Sequence, residues 1–199
     1  MALLRMNSIH SVCVFCGSRT GTNPRHSEIA GKLGHILAKA NIQLVFGGGG
    51  VGLMNEVAVA AMAAGGKVVG IIPDYLAETE NAIGDLTEQI IVTSLDERKK
   101  LMFIRADAFI ALPGGIGTLD EVLDVFLWRQ VGLHDKPLIL VNQDQFWDPL
   151  IALLDHHHQE GFSPKMGPEY FTVVDTISDV LPALKAAPEP KFEGKPGSF

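Results

Sequence analysis

Short, continuously apolar runs alternate along the chain with longer stretches in which apolar residues return every three or four positions. The short runs are Ser11 to Cys16, Ile42 to Phe46, Lys67 to Ile72, Gln89 to Val92, Ala108 to Leu112, Leu138 to Val141 and Phe171 to Val174. Most lack strict in-out alternation, as expected of parallel strands covered on both faces. The periodic stretches predict helices: Pro24 to Ala40 carries Ile29, Leu33, Ile36 and Leu37 on one stripe, and Gly52 to Ala64 carries Leu53, Val57, Ala60, Ala61 and Ala64. Thr118 to Gln130 repeats Leu119, Val122, Leu123, Phe126 and Leu127, while Ser94 opens a helix with Leu95, Leu101, Met102 and Ile104 as its apolar members. Trp147 to Glu160 and Thr176 to Ala187 supply two more. Nearly every strand is followed by Gly, Pro or Asn, and strand alternates with helix. The pattern predicts a single α/β domain over residues 1–187, a doubly wound and mainly parallel sheet with helices on both faces. From Pro188 onward no apolar periodicity survives, so residues 188–199 read as a mobile tail.

Composition narrows the partners. A length of 199 residues with 47% hydrophobic and 20% charged positions suits one globular domain. Sixteen Lys and Arg against 23 Asp and Glu leave a net charge of −7, so no broad basic face exists to bind a nucleic-acid polymer. No apolar run approaches the roughly 18 to 20 residues of a membrane helix, and Met1 to His10 lacks a leader pattern, which predicts a cytoplasmic protein without a membrane partner. Cys13 and Cys16 have C-x-x-C spacing, but a buried strand turns them to opposite faces and no second pair completes a zinc site. Packing is their expected role. His156, His157 and His158 splay around a helix end, which predicts a solvated terminus and no metal site.

Ligands of doubly wound sheets bind beyond the carboxyl ends of the strands, so the loops there carry the candidate chemistry. Gly47-Gly-Gly-Gly-Val-Gly52 follows a strand and opens a helix, and it contains G-x-G-x-x-G, with Asp74 ending the next strand where a ribose-binding acid would be sought. Leu53-Met54 stands where a Walker A loop needs Lys and Ser or Thr. Glycines here permit either close approach of a phosphate or simply a tight turn. A second loop of the same design is Pro113-Gly-Gly-Ile-Gly-Thr-Leu-Asp-Glu121. With Thr118 as N-cap, Thr-x-x-Glu forms a capping box and Glu121 turns back onto the helix start. Alternatively, the amides of Gly115 to Thr118 hold a phosphate while Glu121 faces a reacting carbon. Arg98 and Lys99 fall on or beside the polar face of their helix, either solvated or bringing positive charge to a phosphorylated ligand.

Taken together, the 113–121 loop resembles the PGGxGTxxE signature of the LONELY GUY family, phosphoribohydrolases formerly labelled lysine decarboxylases. The resemblance extends through Cys16-Gly-Ser18, Gly47 to Met54, Ile72-Pro73, Glu97-Arg-Lys99 and His134-Asp-Lys-Pro137, over roughly residues 10–185. It implies a Rossmann-like fold, assembly as a homodimer or larger oligomer, and hydrolysis of the N-glycosidic bond of N6-modified adenosine 5′-monophosphates to a free base and ribose 5-phosphate. By motif it implies that Arg98 and Glu121 are catalytic. It likewise implies that Glu80, Lys99, Gly114, Gly115, Ile116, Gly117, Thr118, Leu119 and Asp120 contact the nucleotide, with Ser18, Gly48 and Gly49 in the neighbouring loops. Leu95-Asp96, Asn55 and Leu127 depart from the family pattern and bear on base preference. The expected reaction uses no cofactor and no metal. A decarboxylase would need a lysine holding pyridoxal phosphate, and no motif identifies one. Two other readings are a non-catalytic sensor of AMP-like nucleotides and an NAD(P)-binding oxidoreductase built on the Gly47 to Gly52 turn.

Overall fold

A computed structural model describes residues 9–187; the segment from Pro188, read above as a tail, lies outside the described residues. Seven strands form one sheet: β1 (Ser11–Phe15), β2 (Gln43–Phe46), β3 (Val68–Pro73), β4 (Glu88–Val92), β5 (Ala108–Ala111), β6 (Leu138–Val141) and β7 (Thr172–Val174). Their order is β4-β3-β2-β1-β5-β6-β7 and every pairing is parallel. The chain winds outward from β1 to β4, returns to the other side of β1 as β5, and winds outward again. The reversal between β1 and β5 opens a crevice at their carboxyl ends.

The helices are α1 (Arg25–Lys39), α2 (Gly52–Ala63), α3 (Asp74–Ala77), α4 (Leu95–Ile104), α5 (Ile116–Gln130), α6 (Asp148–Gln159) and α7 (Val180–Ala186). Alternation along the central strands divides the core into two layers. Val12 and Val14 of β1 face a cluster with Leu33 and Leu37 of α1, Val57 of α2 and Leu184 of α7. Cys13 and Phe15 face the opposite cluster, built on Met102 and Phe103 of α4, Val122 and Phe126 of α5, and Leu150 and Leu154 of α6. Cys13 and Cys16 are therefore buried in different layers, both free, and burial pushes each thiol's pKa up.

Three local expectations change. Thr176 to Ala187 is divided into a 3-10 turn (Ile177–Asp179) and α7. The four-residue α3 is too short to leave an apolar period, and the sequence pattern misses it. Helix α5 begins at Ile116, with Gly115 as an extended N-cap and no side-chain cap, so Thr118 is the third helical residue and the expected Thr118–Glu121 capping box does not form. A variant of the box forms around α4 instead: the Glu97 N–H donates to Ser94 Oγ at 3.2 Å, and the Glu97 carboxylate accepts from the N–H and hydroxyl of Thr93, one residue before the N-cap, at 2.9 and 3.0 Å.

Helices α1 and α2 meet at Gly34, where an added Cβ would overlap the Val57 carbonyl, whereas a Cβ at Gly31 would find only Ala60 Cβ at 4.0 Å. Helix propensity favours Ala over Gly by roughly 1 kcal/mol at either site. Overpacking typically costs about 1 to 3 kcal/mol and should reverse the sign at Gly34 alone. Urea denaturation should show Gly31→Ala stabilising and Gly34→Ala destabilising; equal effects would remove the close contact as the cause.

Candidate active site

The loops after β1, β2 and β5 are joined at the crevice before any ligand enters. The Gly17 N–H donates to the Pro113 carbonyl at 3.1 Å, and the Leu53 N–H donates to the Gly17 carbonyl at 2.9 Å. A side chain at Gly17 would press on Arg19 O (2.9 Å) and Gly114 Cα (3.2 Å), so the β1 and β5 loops approach closely only because this position has none. Above them opens a cavity of about 650 Å³.

One wall of the cavity is the start of α5. Its first amides, those of Ile116, Gly117 and Thr118, have no intrahelical acceptor, because the first helical bond runs from the Leu119 N–H to the Gly115 carbonyl. No side chain caps them, so the positive end of a 15-residue helix faces the cavity, an arrangement that suits a phosphate. Side chains on a helix lean toward its N-terminus, which brings Glu121 and the buried Thr118 to the same wall.

The facing wall comes from α4 and the β2 loop. Arg98 is buried, with 8% of its surface exposed, and its Nη2 donates to the Gly47 carbonyl at 2.9 Å. The sequence places Arg98 at the polar face of α4; that polar surface is an interior one, and its partner is 51 residues away. Gly47 has to be glycine because a Cβ there would overlap the guanidinium. The rest of the glycine turn is filled by protein: the Gly50 N–H donates to the Glu80 carbonyl at 2.7 Å, and a Cβ at Gly49 would meet Glu80 Oε2 at 3.0 Å and Met54 Cε at 2.7 Å. The turn thus seats Arg98 and Glu80. Asp74 is exposed and, as the first residue of α3, accepts from the Tyr75 N–H at 2.7 Å through its side chain.

Of the residues singled out in the sequence, Ser18, Glu80, Arg98, Gly114, Gly115, Ile116, Gly117, Thr118 and Glu121 line the cavity. Gly48, Gly49, Lys99, Leu119 and Asp120 do not. Lys99 is turned to α5, where its Nζ lies 3.0 Å from Asp120 Oδ2 and 2.7 Å from Asp124 Oδ2. Sequence reasoning missed Arg19, Met54, His26 and Phe146, which also line the cavity. The last two come from segments without a motif. They are brought together by Asp144, which accepts from Asn23 Nδ2 at 2.8 Å and Arg25 Nη1 at 2.9 Å, setting the Phe146 ring 5.9 Å from that of His26. The His134 motif is structural. Its Nε2 lies 3.0 Å from the Val125 carbonyl, its Nδ1 accepts from the Lys136 N–H at 3.1 Å, and burial lowers its pKa to about 4.

Glu121 is the titratable centre of the site. Burial raises its pKa to about 7 against the opposing pull of Arg98, with Asp120 adding to the rise, Lys99 opposing it, and Glu80 raising it further. Glu121 lies in the second turn of α5, beyond the amides where the helix dipole is strong, so the helix start does not hold it ionised. A carboxyl poised near neutrality suits proton transfer. Among the described residues no group of three His, Cys, Asp or Glu side chains is arranged to hold a metal ion, no lysine lines the cavity, and no helix is long and apolar enough to cross a membrane.

Residues 54–184 match the family model described as "possible lysine decarboxylase". A probable cytokinin riboside 5′-monophosphate phosphoribohydrolase of Oryza sativa subsp. japonica is 46% identical over 151 residues, 76% of this chain and 68% of that protein. The cytokinin riboside 5′-monophosphate phosphoribohydrolase of Rhodococcoides fascians is 39% identical over 177 residues, covering 88% of this chain and 89% of its own length. Among solved structures, a molybdenum cofactor binding protein of Rippkaea orientalis superposes with a TM-score of 0.67 at 22% identity, over 88% of this chain and 95% of that one. That likeness establishes the Rossmann-like α/β fold alone.

The raised pKa of Glu121 has a stability consequence. Between its ordinary value of 4.5 and about 7 the folded state binds more of this proton than the unfolded state. Glu121 therefore contributes stability in full below 4.5, and loses it as pH rises through 7. Glu121→Gln resembles the protonated form at every pH. The Tm of the variant minus that of the wild type should grow between about pH 4.5 and about pH 8; a constant difference would mean that the carboxyl titrates normally.

Proposed function

Because the chain belongs to the LONELY GUY family, we propose that it is a phosphoribohydrolase that cleaves the N-glycosidic bond of N6-modified adenosine 5′-monophosphates, releasing a cytokinin-type base and ribose 5-phosphate. The observation that carries this reading is that one cavity brings together the uncapped amides of α5 and the Glu121 carboxyl on the same helix, with Arg98 beside them. The amides of Ile116 to Thr118 hold the 5′-phosphate, with the Ser18 and Thr118 side chains beside it, so that binding far from the reacting bond fixes the sugar.

Breaking the C1′–N9 bond leaves positive charge on C1′ and the ring oxygen while the bonding electrons depart with the base. Ionised Glu121 stabilises that cation and takes a proton from the water whose oxygen bonds to C1′; a proton then returns to the nitrogen of the base. Arg98 opposes the rise in the pKa of Glu121 and so keeps a share of it ionised at neutral pH. Glu80, which also lines the cavity, binds the sugar hydroxyls in this reading. The apolar floor of Val14, Leu53, Met54 and Met102 suits a purine. The volume of about 650 Å³ leaves room for an N6 substituent. Pyridoxal chemistry does not fit, since Schiff-base formation needs a lysine in the cavity.

Helix α5 also presents Ile116 (83% exposed), Leu123, Leu127 and Val131 as one apolar stripe. A homodimer formed through this stripe belongs to the same reading. Trp128 is half-buried and packs edge-on against Phe103, 4.9 Å between ring centres. The cytoplasm fits the two buried free cysteines and the acidic charge.

Purified protein incubated with AMP and, separately, with N6-isopentenyl-AMP should release base and ribose 5-phosphate in equal amounts, the prenylated substrate reacting faster. Sedimentation of the same preparation should report a dimer. Glu121→Gln should lower kcat by about 10²- to 10⁴-fold with little change in KM. Intact nucleotides bound without turnover would favour the sensor reading.

A further inference from the structure

The cavity crosses the sheet in the order the strands impose, its lining coming from the loops after β2, β1, β5 and β6 in turn. Gly47, with Arg98 on its carbonyl, marks one end, and Phe146, in the loop after β6, marks the other. The uncapped amides of α5 follow β5 and so lie toward the Phe146 end. His26, the second residue of α1, reaches that same end, its ring edge-on to the ring of Phe146 at 5.9 Å.

This imidazole is held closely. A Cβ at Gly21 would lie 3.0 Å from His26 Cδ2, so the β1 loop turns tightly around the ring. The β6 loop is tied to the start of α1 by Asp144, which accepts from Asn23 Nδ2 and Arg25 Nη1, while the Arg25 N–H donates to Asn23 Oδ1 at 3.1 Å. Asp144 and Gln145 both have left-handed backbone, with φ of 56° and 61°, a conformation that L side chains avoid. The Asp144 contacts thus maintain a costly turn whose effect is to bring Phe146 onto His26. The charged neighbours of the ring, Arg25 and Asp144, are paired with each other at 2.9 Å. His26 Nδ1 nevertheless is buried and has no hydrogen-bond partner among the described residues. An unpaired buried polar atom is destabilising, and on a cavity wall it is placed to bond a ligand.

We propose that His26 is a side-chain ligand of the 5′-phosphate, its Nδ1–H donating to a phosphate oxygen beside the α5 amides, with Phe146 and Asp144 as the groups that position it. The identity of the nucleotide rests on the hydrolase reading above; the bond itself needs only a phosphate. Oxygens of a phosphate dianion accept and do not donate, so Nδ1 must carry the proton in the complex.

Two substitutions of nearly equal shape test this: His26→Asn, whose amide nitrogen falls close to the place of Nδ1, and His26→Leu, which has no donor. The probe is ribose 5-phosphate, and N6-isopentenyladenosine, which lacks the phosphate, is the control. In calorimetry His26→Leu should weaken ribose 5-phosphate by about tenfold or more, while His26→Asn stays within about threefold of the wild type. Neither should change the binding of N6-isopentenyladenosine. KM for N6-isopentenyl-AMP should rise in His26→Leu by about the same factor as the dissociation constant, with kcat little altered. In the wild type, nitrogen NMR of the imidazole should find the proton on Nδ1 of His26 once ribose 5-phosphate is added, a measurement that needs no substitution. Equal weakening by Asn and Leu would reduce His26 to packing, and a loss confined to N6-isopentenyladenosine would put the ring on the base; either overturns the proposal, as does ribose 5-phosphate binding that neither variant changes. Failure of ribose 5-phosphate to bind the wild type would remove the phosphate site and the role of His26 with it. Binding as expected by a wild type that cleaves no monophosphate would sink the hydrolase reading alone.

Discussion

The buried guanidinium of Arg98 on the Gly47 carbonyl is the contact around which the site is arranged. A cation with 8% of its surface exposed is costly to keep away from water unless it is paired and hydrogen-bonded. Several features follow from that cost. The β2 loop must present a bare carbonyl, which is why Gly47 cannot carry a side chain. Glu121, whose pKa Arg98 pulls down, supplies a counter-charge on the same cavity. Helix α4 must be held at a fixed height, and its start is fastened by Ser94 and Glu97 on one side while Lys99 fastens its middle to α5.

The two ends of the reaction are handled by different physics on one helix. In the proposed reaction the phosphate falls to backbone amides that the fold leaves without acceptors at the start of α5. The carboxyl one turn further along works through burial, which sets its pKa near neutrality, and through Arg98, which limits the rise. Because both groups lie on α5, the proposed reading has a rigid element rather than a loop set the distance from phosphate to reacting carbon.

Much of the fold was legible in the sequence. All seven strands form within a residue or two of the apolar runs that predict them; the central strands, buried on both faces, leave no room for polar interruptions, while the edge strands β4 and β7 are partly exposed. The motif loops also converge at the crevice as expected. Side-chain direction was the illegible part. The spacing Ser/Thr-x-x-Glu occurs at Ser94 and at Thr118, yet only the first makes a capping arrangement, since Gly115 takes the N-cap of α5 three residues before Thr118. Arg98 and Lys99 share a motif and a helix, but one faces the cavity and the other does not, and only the packing of α4 against α5 decides which. The glycines at 47–50 suggest phosphate approach, while their near neighbours are Arg98, Glu80 and Asn81, all distant in sequence. His26 and Phe146 carry no local signal, being joined through Asp144 across more than a hundred residues.

The central claim is that a nucleoside monophosphate lies with its phosphate on the start of α5 and its anomeric carbon at Glu121. A crystal structure of Glu121→Gln with N6-isopentenyl-AMP bound tests it most directly. The account predicts phosphate oxygens within hydrogen-bond distance of the Ile116, Gly117 and Thr118 amides and C1′ beside residue 121. A phosphate seated instead in the Gly47 to Gly52 turn, or a nucleotide whose C1′ lies away from residue 121, would contradict it.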